Sequence, residues 1–149
     1  MSLAEESVVK ATGDPLTRAA LLYARLAIGA AFLSAVAARF GLWGARSSWK
    51  NFGDFERYTA EVCAFMPAAT IPFLAWSATI AETAFGVALI AGFRLRWSAL
   101  GAAGLLFMFA TAMAISQGIK SPLDYSVYSG SAAALLLALS APRTGSAVA

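Results

Sequence analysis

Residues 76–92 read WSATIAETAFGVALIAG, an apolar run interrupted almost at its centre by a carboxylate, Glu82. Extended back to Thr70, the run is long enough to cross the hydrocarbon core of a bilayer, about 30 Å thick, which takes about 20 apolar residues in a helix. Three further runs approach that length: 19–44 (AALLYARLAIGAAFLSAVAARFGLWG), 97–116 (WSALGAAGLLFMFATAMAIS) and 125–141 (YSVYSGSAAALLLALSA). All are continuous, whereas a transmembrane barrel would alternate in polarity over segments of about ten residues. The chain as a whole is 60% hydrophobic and 13% charged, with a mean hydropathy of +0.70, against about a quarter charged in soluble domains. These features define an all-α membrane protein, expected to be a four-transmembrane-helix bundle with a short amphipathic helix in its first loop. Ser126, Ser129, Gly130 and Ser131 dilute the last run, so it depends on its neighbours to stay in place.

Around this membrane domain, taken as residues 16–141, lie a polar tail at 1–15 and a short C-terminal tail at 142–149. Arg18 and Arg25 followed by LAIGAAFLSAVAA resemble a secretory signal, with Ala35-Val36-Ala37 as a cleavage site. The run continues through Phe40, Leu42 and Trp43, however, and so reads as a span. In the long loop at 45–66, Asp54 is the expected N-cap of the amphipathic helix. Phe55, Tyr58, Val62, Phe65 and Met66 then share one face, which would lie on the membrane or cap the bundle mouth. Pro67 and Pro72 bracket the start of the second span, FRLR (93–96) is a tight basic turn, and QGIKSPLD (117–124) is a loop ending on Asp124 as the N-cap of the fourth helix.

With four spans, Lys10, Arg18, Arg94, Arg96 and Arg143 share one side of the membrane, and Arg46, Lys50, Arg57 and Lys120 share the other. The balance is close. The FRLR turn, undiluted by acids, favours both termini in the cytoplasm.

A carboxylate at a bilayer midplane costs roughly 2.5 to 3.5 kcal/mol, so it turns inward and finds a partner or a proton. At helical spacing from Glu82 lie Ala75, Ala78, Thr79, Phe85, Gly86 and Leu89, mostly small, a face on which another helix can approach closely. Helix one offers Arg25 and Arg39, about 21 Å apart along the axis and about 40° apart around it, on a face with Gly29, Phe32 and Val36. Either arginine could pair with Glu82 or bind a ligand oxygen, and either could instead snorkel to the interface. Tyr125 and Tyr128 begin the fourth helix on one face beside Asp124. They read as an interfacial aromatic belt or, with Lys120, as a polar mouth above a cavity floored by Glu82. Trp43, Trp49, Trp76 and Trp97 fit the belt. Gly101, Gly104, Met108 and Thr111 on helix three, and Ser126, Gly130 and Ala134 on helix four, read as packing seams.

Several chemistries are excluded. The lone Cys63 cannot form an intramolecular disulfide or a CxxC pair, and with no histidine and dispersed carboxylates no metal site can be argued. Nucleotide-binding glycine motifs are missing, and the +3 net charge suits an anionic lipid surface better than nucleic acid. Any redox role therefore needs a quinone, another bound cofactor or a partner's thiol.

The stretch RLAIGAAFLSAVAARFGLWG, the FGDFERY loop, Pro67 and AETAFGVALIAGFRLRWSALGAAGLLFMFATAM together resemble the DoxX family of small bacterial membrane proteins, over about residues 20 to 141. The similarity is most specific at Glu82, Gly86, Gly92, Arg94 and Arg96, and at Arg25, Gly29 and Phe32. The resemblance implies a four-helix bundle in the bacterial inner membrane with cytoplasmic termini, and a quinone-binding or anchoring subunit associated with a redox partner protein, in sulfur or oxidative-stress chemistry. It leaves open whether this chain is itself an enzyme. The rival is a non-enzymatic scaffold, chaperone-like or cargo-binding membrane protein; a small transporter fits four spans less well. Besides the bilayer and a redox partner, a further copy of the chain in a homo-oligomer is an expected partner.

Overall fold

A computed structural model describes residues 14–141. The first of its helices, α1 (Pro15–Arg39), begins where the Asp14 carboxylate accepts from the Thr17 N–H at 3.2 Å, with Pro15 at the first helical position. It ends at Gly41, whose φ of +68° closes a Schellman turn: Leu42 N–H donates to the Ala37 carbonyl and Gly41 N–H to that of Ala38. The apolar run expected to span 19–44 therefore stops being helical at Arg39, because the left-handed glycine outweighs the apolar Leu42 and Trp43 beyond it.

Helix α2 (Phe52–Val62) follows in the loop and buries Phe55, Thr59 and Val62. Its N-cap is Asn51, which accepts from the Asp54 N–H at 3.1 Å, and not Asp54. Asp54 sits three residues into the helix, where its carboxylate accepts from the Lys50 N–H at 2.9 Å and pairs with Arg57. Both are good capping residues, and the earlier one starts the helix.

Helix α3 (Ile71–Ala91) carries Pro72 in its first turn and ends, like α1, on a Schellman turn, here at Gly92 with φ +72°. Helix α4 (Leu95–Gln117) follows at once. The segment expected to be a loop at 117–124 contains a short helix, α5 (Lys120–Asp124), and α6 (Val127–Ser140) completes the described chain. Asp124 closes α5 and does not cap α6; Ser126, at φ +55°, separates the two helices.

α1 packs chiefly on α3, and α4 chiefly on α6. The first pair crosses closely where Gly29 meets Gly86: a Cβ on Gly29 would lie 3.0 Å from the Gly86 carbonyl oxygen. The second pair is packed with alanine, Ala99, Ala102, Ala103, Ala134 and Ala138 being buried, and the Ser131 hydroxyl donates to the Ala103 carbonyl at 2.8 Å. The seam on α4 is thus one face round from the expected one. Gly101 packs under Phe85 and Gly130 touches Leu106, but Gly104 meets no neighbour and Met108 is largely exposed.

Large apolar side chains such as Phe73, Ile80, Phe107, Ile115 and Leu136 stand exposed around the bundle, as lipid-facing positions require. Three helical segments, Pro15–Arg39, Ala68–Ala91 and Leu95–Gln117, are long and apolar enough to cross a membrane. The fourth, α6, has 14 residues, or about 21 Å of helix.

Candidate functional site

The antiparallel register of α1 and α3 determines which arginine meets Glu82. With Gly29 level with Gly86, Phe40 comes level with Trp76, their rings 6.4 Å apart. Arg39 therefore starts near residues 76–77 of α3. A long helical side chain leans toward its own N-terminus, which carries the Arg39 guanidinium back toward mid-membrane. Glu82 leans toward the N-terminus of α3, and the two meet. Arg39 Nη2 donates to both carboxylate oxygens, at 2.6 and 2.7 Å, and Nη1 donates to the Thr79 hydroxyl at 2.8 Å. Thr79 in turn donates to the Ala75 carbonyl at 2.8 Å. The ion pair is almost wholly shielded, its side chains 4% and 3% exposed.

Aromatic rings from the loop roof this pair. The Phe55 ring lies 3.9 Å beneath the Arg39 guanidinium carbon, a cation–π contact. Trp49 packs edge-on to Phe55 at 5.2 Å, and Phe52 stacks on Trp76 at 4.3 Å. Trp49 belongs to this roof, and Trp76 stands half-exposed beside it, against Phe52 and Phe40.

The hydrogen-bonding capacity of the pair is not exhausted. Arg39 Nε–H has no partner among the described residues, and the carboxylate receives only Nη2 from the described chain. Both residues line a cavity of about 730 Å³, within the range of small-molecule sites. Its walls are mainly apolar, including Phe32, Phe109 and Met113, with Tyr58 and Tyr125 among the few polar side chains. Burial, then the neighbouring Tyr125 and Glu61, raise the Tyr58 phenol above its ordinary value. Cys63 also lines the cavity, and burial pushes its thiol up.

Of the seven side chains that the sequence offers for ligand binding or proton handling, the fold brings Glu82, Arg39 and Tyr125 to this cavity. Tyr128 packs instead against Phe107, with ring centroids 6.2 Å apart. Asp124 and Lys120 pair with each other on the exposed surface, 55% and 83% exposed. Arg25 lies in the N-terminal half of α1, against Gly92. It does not meet Glu82, because the same lean that aims Arg39 inward aims Arg25 outward. In the sequence Thr79 and Phe55 read only as face positions. Their partnership with Arg39 follows from the register, which the Gly29 and Gly86 pair could have signalled.

A bundle of apolar helices enclosing a desolvated ion pair beside a cavity defines a polytopic membrane protein with an internal polar site. The DoxX family model matches residues 20–116, about two thirds of the chain and including both Arg39 and Glu82, and the chain belongs to the DoxX family. The match ends before α5 and α6, short of the extent to residue 141 expected from the sequence. No curated protein and no solved structure matches the chain.

Proposed function

We propose that this protein is a membrane subunit that binds a quinone-like or similar amphipathic small molecule inside its bundle, in association with a redox partner protein. One observation carries the reading: a buried arginine with an unspent N–H and a carboxylate with unspent oxygens share the wall of a large, mainly apolar cavity. Retaining such donors and acceptors in an apolar interior is costly unless something uses them. The unspent N–H of Arg39 suits a carbonyl oxygen, the Glu82 carboxylate suits a hydroxyl or a transferred proton, and the apolar walls suit a hydrocarbon tail. A quinone, if bound, would supply the electron-accepting capacity that the chain's own side chains lack. In this arrangement Arg39 orients the head group, Glu82 holds or passes a proton, and the aromatic roof excludes water. The partner carries the remaining redox centre, in sulfur or oxidative-stress chemistry.

The topology that accompanies this reading has four crossings, the last made by α5 and α6 together, with α2 at the membrane surface. The setting is the bacterial inner membrane, with both termini cytoplasmic. Reporter fusions after Ala141 and within 45–50 check it, since only the first should report a cytoplasmic location.

A native mass spectrum of gently extracted protein tests the binding role. Wild type should retain a small molecule of defined mass, and Arg39→Lys, which preserves the positive charge but removes the Nε donor, should lose most of it while remaining folded. An empty wild-type bundle, or equal retention in both proteins, would move the reading to the scaffold class.

A further inference from the structure

Arg25 is left without a role by the site at Glu82, and its surroundings give it another. The close crossing of Gly29 and Gly86 brings Arg25 level with the C-terminal end of α3, where its guanidinium lies against Gly92. A Cβ at Gly92 would stand 2.7 Å from Arg25 Nη1 and 3.4 Å from Cζ, so the absence of a side chain there makes the cradle. Arg25 Nε is buried and has no hydrogen-bond partner among the described residues. None of the ion pairs among the described residues involves Arg25.

The nearby charges are positive. Arg94 and Arg96 follow Gly92 in the same turn and first turn of α4, and Arg18 lies seven residues before Arg25, two helical turns away on the same face of α1. Asp14 is the only described acid at this end of the bundle, and its carboxylate is taken up by capping α1 at Thr17. Arg94 itself adopts a left-handed backbone, φ +41°, rarely used by a residue with a side chain.

Arg25 is level with the end of the apolar α3 helix at Gly92, a depth that suits a lipid headgroup, and α1 continues about 15 Å beyond it through residues 15–24. A half-buried guanidinium at that depth, with unspent donors, cationic neighbours and no ion-pair partner among the described residues, is complementary to a phosphate. We propose that Arg25, cradled on Gly92 and with Arg94 and Arg96 in the residues that follow, binds the phosphate of one anionic phospholipid between α1 and the α3–α4 turn. This lipid site is separate from the cavity at Glu82 and does not depend on what that cavity holds.

The test compares wild type, Arg25→Gln and an Arg94→Gln/Arg96→Gln double variant, each purified and reconstituted into phosphatidylcholine vesicles with or without phosphatidylglycerol. Lipid carried through detergent release would be read by native mass spectrometry. Wild type should keep one phosphatidylglycerol per protomer, Arg25→Gln should lose at least tenfold in retention, and the double variant should lose less. Thermal melting in detergent would confirm that each variant is folded. Should Arg25→Gln fail that check, Arg25→Lys replaces it, with an intermediate loss expected because a point charge cannot use the cradle as a planar fork does. Displacement by millimolar inorganic phosphate, leaving no retained lipid in any protein, would assign the site to free phosphate and overturn the lipid proposal. Equal retention by wild type and Arg25→Gln, with loss only in the double variant, would also overturn it by reducing the patch to general surface charge.

Discussion

The two helix pairs of this bundle are held by opposite means. Between α1 and α3 the close glycine crossing is followed by a desolvated arginine, a glutamate and a threonine, roofed by aromatic rings and opening on a cavity. Between α4 and α6 the contact is made by alanines and one serine hydroxyl, the small-residue packing by which membrane helices associate without any charge. Since the second pair packs well without any charge, the charges in the first are not a requirement of helix association. They are placed where they face a cavity, which is why we assign them to binding.

The sharpest way to separate the two regions is to remove one partner of the buried pair. Arg39→Ala or Glu82→Ala should each cost about 3–5 kcal/mol, because the remaining charge is left uncompensated in the interior; chemical or thermal denaturation in detergent measures it. Gly29→Val should cost about 1–3 kcal/mol by forcing α1 away from α3, and should weaken the Arg39 contact with Glu82 in the process. An equivalent loss in both helix pairs, read from site-specific spin-label distances, would break the distinction drawn between them. The exposed Lys120–Asp124 pair provides the contrast: Lys120→Ala should change stability by less than about 1 kcal/mol.

The smallest effect concerns Cys63. Burial raises its thiol pKa, so the thiolate fraction at neutral pH is reduced and maleimide labelling should be slow there. The rate should keep climbing as pH passes through the ordinary thiol range of about 8–9. Because Cys63 lines the cavity, an added short-chain quinone analogue should slow the labelling further. Fast labelling that is flat with pH and insensitive to the analogue would show that the cavity wall is open to water.

The sequence made the membrane setting and the oddity of Glu82 plain, since hydropathy and a lone midplane charge need no knowledge of neighbours. It did not separate Arg25 from Arg39, because the two share a face and only the level of the α1–α3 crossing distinguishes them. A clue was present: helical side chains lean toward the N-terminus, so Arg39 had to reach inward and Arg25 outward. The other differences have a common origin in turns. Gly41 stops α1 early, Asn51 starts α2 early, and the left-handed Ser126 ends a short helix that polar composition disguised as a loop. The seam on α4 was misplaced because small residues occur on more than one of its faces, and only contact with α6 selects between them. The aromatic roof was invisible for a related reason: Trp49 and Trp76 lie near span ends in sequence, while their partners come from α2.

The most direct measurement replaces both charges at once, in an Arg39→Met/Glu82→Leu double variant, and compares its native mass spectrum and melting temperature with those of wild type. Exchanging a buried pair for apolar residues of similar volume is often neutral or stabilising. The double variant should therefore melt at or above the wild-type temperature and carry none of the small molecule that wild type retains. A folded double variant still holding that molecule at the wild-type level would contradict the assignment of Arg39 and Glu82 to ligand binding.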